Sequence, residues 1–305
     1  MAFSVSVIVS TFNSPEWLEK VLLGYGNQID KDFQIVIADD GSSGLTRETI
    51  DRFRQTSGMD VEHVWHEKNG CKKSVMLNNA IMRASGDYLI FTEGDCIPRK
   101  DFISVHRKAA RSGYFLSGGH TKLPMCCSVQ VSEEAVLSGK AFDLFWLVEH
   151  GYPDMAKKLR LIAKGPWGHV FNFIFPTKNE WNGHNSSGWK SDLMSVNGFD
   201  ERMKFIGEDC EMGDRLKHAG VKVKRVRYTA VCVHLFPSPE AGDAASKTKN
   251  LSIKDETKRD KKRYTSYGIV NPERFRWLHS KKADNEKQAA TDACPACLPN
   301  SKKPA

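Results

Sequence analysis

Long apolar runs are missing from this 305-residue chain, and none approaches the roughly 20 residues a membrane span requires. Met1 to Val9 shows neither a positive n-region nor a cleavage site, so the sequence predicts a cytoplasmic protein without a secretory leader. No internal repeat is present. The eight cysteines lack the spacing of a disulfide framework. Cys71, Cys96, Cys126, Cys127, Cys210 and Cys232 fall inside element patterns, as reduced thiols do in a reducing compartment. Cys294 and Cys297 have C-x-x-C spacing, but no second ligand pair and no βαβ unit accompany them, and they read as tail. Charge imbalance is absent from most of the chain. Between Ser246 and Lys282 there are 12 Lys/Arg against 4 Asp/Glu, and this surplus equals the net +8 of the whole sequence. Residues 283–305 carry three charges of each sign, so residues 1–245 are neutral.

What is present is an α/β pattern. Hydrophobic content of 40% with 27% charged residues suits a globular fold. Apolar runs at 4–10, 33–38, 61–66 and 87–92 alternate with amphipathic stretches at 15–27, 45–56, 72–84 and 101–112. That β-α-β-α order predicts a mostly parallel central sheet with helices on both faces. Pro15 after Ser14, and Ser42-Ser43 before the second helix, read as helix starts with their caps. The alternation stops over 120–190, which is rich in Trp, Gly, Pro and His and reads either as substrate-shaping loops or as an irregular cover. Order returns with a short helix near 190–195, a helix over 208–219, and strands near 221–227 and 229–234. The expected organisation is a domain of residues 1–240, divided into halves 1–119 and 120–240. A basic extension over 241–282 and a disordered tail over 283–305 follow it. Tyr264, Tyr267, Phe275, Trp277 and Leu278 suggest packed structure within the extension.

Acidic residues gather where these elements end. Asp39-Asp40 closes the second strand at its carboxyl edge, where open α/β sheets bind ligands; either aspartate can meet a base or ribose, or cap the next helix. Asn69-Gly70-Cys71-Lys72-Lys73-Ser74 opens the third helix, so its N–H groups and lysines can face phosphate or simply solvent. Glu93-Gly94-Asp95 follows the fourth strand, and its hard oxygens suit Mg²⁺ or Mn²⁺ beside a diphosphate. Glycine at 94 lets backbone come close to a ligand. Glu208-Asp209 opens a helix, whose positive end favours an anion placed to accept a proton. Glu211 and Arg215 stand four apart as a structural pair. His234 closes the run Ala230–Val233 and is either a core histidine or a metal ligand.

Taken together these strings resemble the family 2 glycosyltransferases of GT-A fold, the nucleotide-diphospho-sugar transferase architecture. The resemblance rests on Val5–Asn13, Ile37–Ser42 and Ala84–Asp95. The stretch Asn197-Gly198-Phe199-Asp200-Glu201, followed by Gly207–Glu211, is similar to the acceptor-side motif of chondroitin-polymerase-like and β-1,4-galactosyltransferase-like enzymes. Matches span about 4–236, in four ordered motifs. The resemblance implies an inverting transfer from a UDP-sugar to a hydroxyl of a glycan or lipid-linked acceptor, such as lipopolysaccharide or capsule. Galactose or N-acetylgalactosamine is favoured as donor sugar, with glucose and N-acetylglucosamine open. It assigns Asp40 to the uracil, Asp39 to the nucleoside and Thr11 to the nucleotide pocket. Asp95 becomes the metal-binding last acid of the DxD motif, His234 a further ligand for Mn²⁺ or Mg²⁺, and Gly94 part of the donor loop. Asp209 becomes the catalytic base, with Glu208 orienting base or acceptor.

The chain departs from the family where Glu93 is the first DxD acid, Cys96 follows Asp95, and Leu77 replaces an arginine before Asn78. Lys72 or Lys73 would supply that missing charge at the donor. Trp167, Trp181 and Trp189 would stack on sugar faces, with Asn185 among the acceptor contacts. Two other classes stay open. A nucleotidyltransferase would want a Gly- and Lys/Arg-rich loop after the first strand, which Ser10–Pro15 is not. A non-catalytic glycan-binding protein would not need Asp95 and Asp209. Nucleic-acid binding through 246–282 leaves the acidic sites unexplained. That segment is expected to touch an anionic membrane at the inner face of the plasma membrane, or to be a solvated helical face.

Overall fold

The computed structural model describes residues 3–153, 158–163, 165–175, 178–236 and 243–271. Residues up to Ile269 form one compact unit; of the second unit, from Val270 onward, only Val270 and Asn271 are described. Phe275, Trp277, Leu278, Cys294, Cys297 and the expected tail lie outside the described residues.

Strand β1 (Val5–Thr11) is buried along its whole length, as a central strand covered on both faces must be. It pairs in parallel with β2 (Gln34–Asp39) on one side and β4 (Tyr88–Glu93) on the other, and β2 pairs in parallel with β3 (Val61–Trp65). The crossovers are α1 (Pro15–Gly26), α2 (Gly44–Ser57) and α3 (Lys73–Arg83). Pro15 begins α1 as expected, but neither Ser14 nor Ser43 caps its helix with a side-chain bond. After β4 come the short β5 (Cys96–Pro98), α4 (Phe102–Ala109) and β6 (Tyr114–Lys122). The stretch expected to be loops holds five short helices instead: α5 (Met125–Gln130), α6 (Glu133–Ser138), α7 (Leu144–Glu149), α8 (Lys158–Ile162) and α9 (Pro166–Ile174). The chain continues through β7 (Ser186–Trp189), α10 (Lys190–Ser195), α11 (Glu208–His218), β8 (Lys222–His234) and α12 (Ala244–Arg259).

The eight strands form one sheet in the order β3-β2-β1-β4-β7-β6-β8-β5. β7 runs antiparallel to β4 and β6, β6 and β8 are parallel, and β5 returns antiparallel along β8. The two late strands expected near 221–227 and 229–234 are one strand. Gly118 pairs with Val226 and Gly119 with Val231, so Arg227–Ala230 bulges out and the strand resumes. Separate cores cover the two faces. One holds Leu18, Leu22, Tyr25, Phe102 and Ile103; the other holds Met76, Ile81, Phe199, Met212 and Leu216.

The basic segment is not a detached extension over its described part. Asn250 of α12 donates to the Lys204 and Ile206 carbonyls, and Thr257 donates to Glu211 Oε1 at 2.8 Å. Its helix therefore packs on α11 within the first unit.

Candidate active site

Asp95 sits just beyond β4, and β5 brings it back toward β8. The antiparallel register sets Cys96 opposite His234, and Leu235 N–H donates to the Asp95 carbonyl at 2.9 Å. His234 Nε2 then lies 3.2 Å from Asp95 Oδ2. Burial alone would lower the His234 pKa, but its bond to Asp95 and the charges of Asp95 and Glu93 outweigh that and raise it. One ligand atom each from Glu93, Asp95, Cys96 and His234 all fall within 4.8 Å of one another. Two carboxylates and an imidazole so close suit Mn²⁺, with the Cys96 thiol adding a softer donor than Mg²⁺ prefers.

Two further histidines close this corner. His120, near the end of β6, and His184, just before β7, have ring centroids 3.9 Å apart, and both rings lie within 6 Å of His234. Burial keeps both neutral, lowering the His184 pKa to about 4. His120 Nδ1, His184 Nε2 and His234 Nδ1 are buried without a hydrogen-bond partner among the described residues. Sequence reasoning missed His120 and His184, since only the crossing of β6, β7 and β8 joins residues so far apart.

Lys73 links the Glu93 cluster to the start of α11. Its Nζ lies 3.1 Å from Glu93 Oε1 and 3.0 Å from Glu208 Oε1. Burial pushes the Glu93 carboxyl up, yet Lys73, His184 and His234 hold it down at about 2. At Glu208 burial wins and the pKa is raised, Lys73 offsetting it only in part and Asp209 adding repulsion. Desolvation lowers the Lys73 pKa, but three carboxylates around it raise it well above the usual value. Lys73 is thus committed to carboxylates, and Glu208 turns inward to it, nearly inaccessible to solvent. Lys72 contributes its backbone N–H, which donates to Asp40 Oδ1 at 2.9 Å.

Asp209 is half-buried at the first turn of α11, where its Oδ2 accepts the Gly183 N–H at 2.8 Å and its Oδ1 the Cys210 N–H at 2.6 Å. A Cβ on Gly183 would stand 3.5 Å from Glu93 Oε1 and 3.7 Å from Asp209 Oδ2. Glu93 and Asp209 therefore face one small space, which glycine leaves open. The turn after α10 is fixed by Asn197 and Gly198, both at positive φ, where a Cβ on Gly198 would meet Asn78 Oδ1 at 2.3 Å. Asn78 in turn bonds the Phe199 N–H and carbonyl. Glu211 and Arg215 form the expected i,i+4 pair, fully buried at 2.8 Å.

At the other end of the crevice, His63 Nε2 lies 3.0 Å from Asp39 Oδ2 and Ser42 N–H donates to Asp39 Oδ1 at 2.9 Å. Burial raises the Asp39 carboxyl, but those bonds bring it below its ordinary value. Asp40 meets His66 Nε2 at 2.9 Å and Lys68 Nζ at 3.4 Å. Thr11 Oγ1 is buried with no partner among the described residues, and a Cβ on Gly94 would approach it to 2.9 Å. Backbone and hydroxyl thus lie against each other at the carboxyl edge of β1 and β4.

Three of the four acceptor candidates are corrected. The Trp181 side chain is fully buried, packed among Phe91, Phe115 and Met212 in the core, with no ring face open to a sugar. Asn185 is fully buried and spends its amide on His106, the Gly119 carbonyl and the Ala230 carbonyl. Trp189 pairs with Tyr88 at the start of β4, against Phe3, at the end of that strand opposite Glu93. Trp167 alone is exposed, on α9.

A sheet of this order, with carboxylates, histidine and lysine gathered past its parallel strands, has the GT-A architecture of nucleotide-sugar transferases. The comparisons agree. The profile of glycosyl transferase family 2 matches residues 6–121, and the profile described as the N-terminal domain of galactosyltransferase matches 171–236. Residues 6–121 thus carry the pattern of glycosyl transferase family 2.

The Bacillus subtilis glycosyltransferase YfnE is 26% identical over 259 residues, covering 75% of this chain and 64% of its own length. A validoxylamine A glucosyltransferase of Streptomyces hygroscopicus subsp. limoneus is 23% identical, covering 71% of this chain and 48% of its own. The chain thus spans about half to two thirds of the length of these relatives. Among solved structures, the mannosyltransferase PcManGT from Pyrobaculum calidifontis, in complex with GDP-Man and Mn²⁺, superposes with a TM-score of 0.58 at 17% identity, covering 85% of this chain and 65% of that one. S. aureus TarS 1–349 in complex with UDP gives 0.55 at 15% identity, covering 82% of this chain and 64% of that one. At such identities these two structures speak for the fold.

Proposed function

We propose that this protein is an inverting glycosyltransferase that moves a sugar from a UDP-sugar to a hydroxyl of a glycan or lipid-linked acceptor. The observation that carries the reading is the single space at Gly183, faced by Glu93 of the metal-type cluster and by Asp209 at the start of α11. An inverting transfer needs a leaving-group site and a base on opposite sides of one reacting carbon, and the nearness of Glu93 and Asp209 to one space supports that reading.

Asp95 and His234 would hold a divalent ion, Mn²⁺ by donor set, whose charge offsets that of the departing diphosphate. Thr11, Asp39, Asp40 and Gly94 line the nucleotide end. Asp209 takes the proton of the acceptor hydroxyl as its oxygen attacks the anomeric carbon from the face opposite the diphosphate. The Gly183 and Cys210 N–H groups hold the carboxylate in place. Lys73 keeps Glu208 and Glu93 in place without touching the reacting atoms. The galactosyltransferase-type match over 171–236 favours UDP-galactose or UDP-N-acetylgalactosamine, and UDP-glucose and UDP-N-acetylglucosamine are the next donors to test. Nucleotidyl transfer and non-catalytic glycan binding are the competing readings, and neither calls for a carboxylate held at Asp209.

The test is a panel of the four UDP-sugars against simple glycoside acceptors, with the product's anomeric configuration read by NMR. A β-linked product from an α-linked donor is expected. Asp209→Asn should lower transfer by about 10²–10⁴-fold while UDP binding persists. Retained anomeric configuration, or an Asp209→Asn variant of undiminished rate, would rule out Asp209 as the base of an inverting displacement.

A further inference from the structure

Helix α9 exposes an apolar face among the described residues. Its sequence, Pro-Trp-Gly-His-Val-Phe-Asn-Phe-Ile, turns Gly168 and Asn172 inward. A Cβ on Gly168 would meet the Tyr228 carbonyl at 2.9 Å, and Asn172 bonds the Tyr228 N–H and the Thr229 hydroxyl. The helix is therefore seated on the bulge of β8 by its polar and small side. At helical spacing, Trp167, Val170, Phe173 and Ile174 share the opposite side. Trp167 is 65% exposed, Phe173 86% and Ile174 59%. Four large apolar residues open to solvent on nine positions is not the surface of a helix packed for stability.

Cations border that face. A hollow of about 680 Å³ beside Phe173 and His169 is lined by Arg99, Lys108, Arg111, Lys224 and Arg225, with Asp101 as its one carboxylate. Asp101 is taken by Arg99 at 2.7 Å. Among the described residues no ion pair joins Lys108, Arg111, Lys224 or Arg225 to a carboxylate. An apolar, aromatic-bearing helix face bordered by unneutralised Lys and Arg has the composition of an element that lies in the interface of an anionic bilayer.

We propose that α9, with the basic hollow of Lys108, Arg111, Lys224 and Arg225, docks this protein on an anionic membrane surface. The membrane contact expected from sequence thus moves from residues 246–282 to the α9 surface. The reason lies in α12, which turns Asn250, Ile253 and Thr257 into the protein and leaves Leu251 as its one large exposed apolar residue. The helix has charge but no apolar face to insert.

The experiment is co-sedimentation of the full chain with phosphatidylcholine vesicles, with and without phosphatidylglycerol. Three variants accompany it: Phe173→Glu/Ile174→Glu, Lys108→Glu/Arg111→Glu, and the α12 control Lys247→Glu/Lys249→Glu. Wild type should bind the anionic vesicles at least about tenfold more tightly than the neutral ones. The first two variants should lose about tenfold or more of that binding, and the α12 control should keep it. All substituted side chains on α9 are exposed, and circular dichroism with UDP titration checks that each variant is folded. Absence of binding to anionic vesicles by folded wild type would overturn the proposal. So would loss confined to the α12 control. A dimer by sedimentation equilibrium that becomes monomeric in Phe173→Glu/Ile174→Glu would assign the face to a second copy of the chain instead.

Discussion

Lys73 is the residue on which two halves of the crevice meet, because its one ammonium serves Glu93 and Glu208 together. Removing it leaves both carboxylates without their shared counter-charge, which destabilises the fold. Lys73→Ala is expected to lose thermal stability and transfer activity together, whereas Lys73→Arg should restore much of the stability. Comparing melting curves and rates of the two variants checks this, and equal behaviour of alanine and arginine would count against a charge-bridging role. Gly183 gives a sharper residue-scale test. Its open side lies at ordinary contact distance from Glu93 and Asp209, so an added methyl fits and a longer side chain fills the space between them. Gly183→Ala should fold and retain activity, while Gly183→Leu should fold but transfer poorly. A fully active Gly183→Leu would mean that the reacting atoms lie elsewhere.

At the scale of elements, α11 carries the proposed base, and its position is set by Gly213. A Cβ there would stand 2.6 Å from Trp181 Cβ and 3.0 Å from Trp181 N, atoms that cannot rotate away. Gly213→Ala is therefore expected to cost about 1–3 kcal/mol by overpacking and to lower activity by shifting Asp209. Denaturant titration reads the first effect, and an unchanged midpoint would show that the helix and Trp181 are not in firm contact. The same contact explains where reading the sequence succeeded and failed. The strands β1 to β4 and helices α1 to α3 were legible because local periodicity and Pro/Ser/Gly punctuation write them into short windows. The positions of Asp39, Asp95 and Asp209 at element ends were legible for the same reason. Trp181 was misread because the glycine that receives it, Gly213, lies 32 positions later and leaves no mark near the tryptophan. Asn185 was misread for the same reason: its partners come from α4, β6 and β8, and only the assembled sheet brings them within hydrogen-bond reach. The bulge at Arg227–Ala230 looked like a break between strands because the interruption is local while the β6 pairing on both sides of it is not.

For the whole molecule, the buried histidines set the acid limit of stability. His106 has its Nδ1 2.8 Å from Ser187 Oγ and its Nε2 3.0 Å from Asn185 Oδ1, and burial lowers its pKa to about 4. Unfolding returns it to about 6.5, so between those values the unfolded chain binds the extra proton. Stability should therefore fall as pH drops from about 6.5 toward 4, by about 3 kcal/mol from this residue once both values are passed. Urea titrations at pH 7 and 4.5 on wild type and His106→Gln separate this contribution from those of other groups. A wild-type loss no larger than that of the variant would contradict it.

In the proposed reaction one crevice holds a donor site at Asp95 and a base at Asp209. Calorimetric titration of UDP into wild type, Asp95→Ala and Asp209→Asn, each with and without Mn²⁺, tests it most directly. Binding that requires Mn²⁺, disappears in Asp95→Ala and persists in Asp209→Asn is the expected result. UDP binding that ignores both the metal and the Asp95 substitution would contradict it, and so would no UDP binding at all.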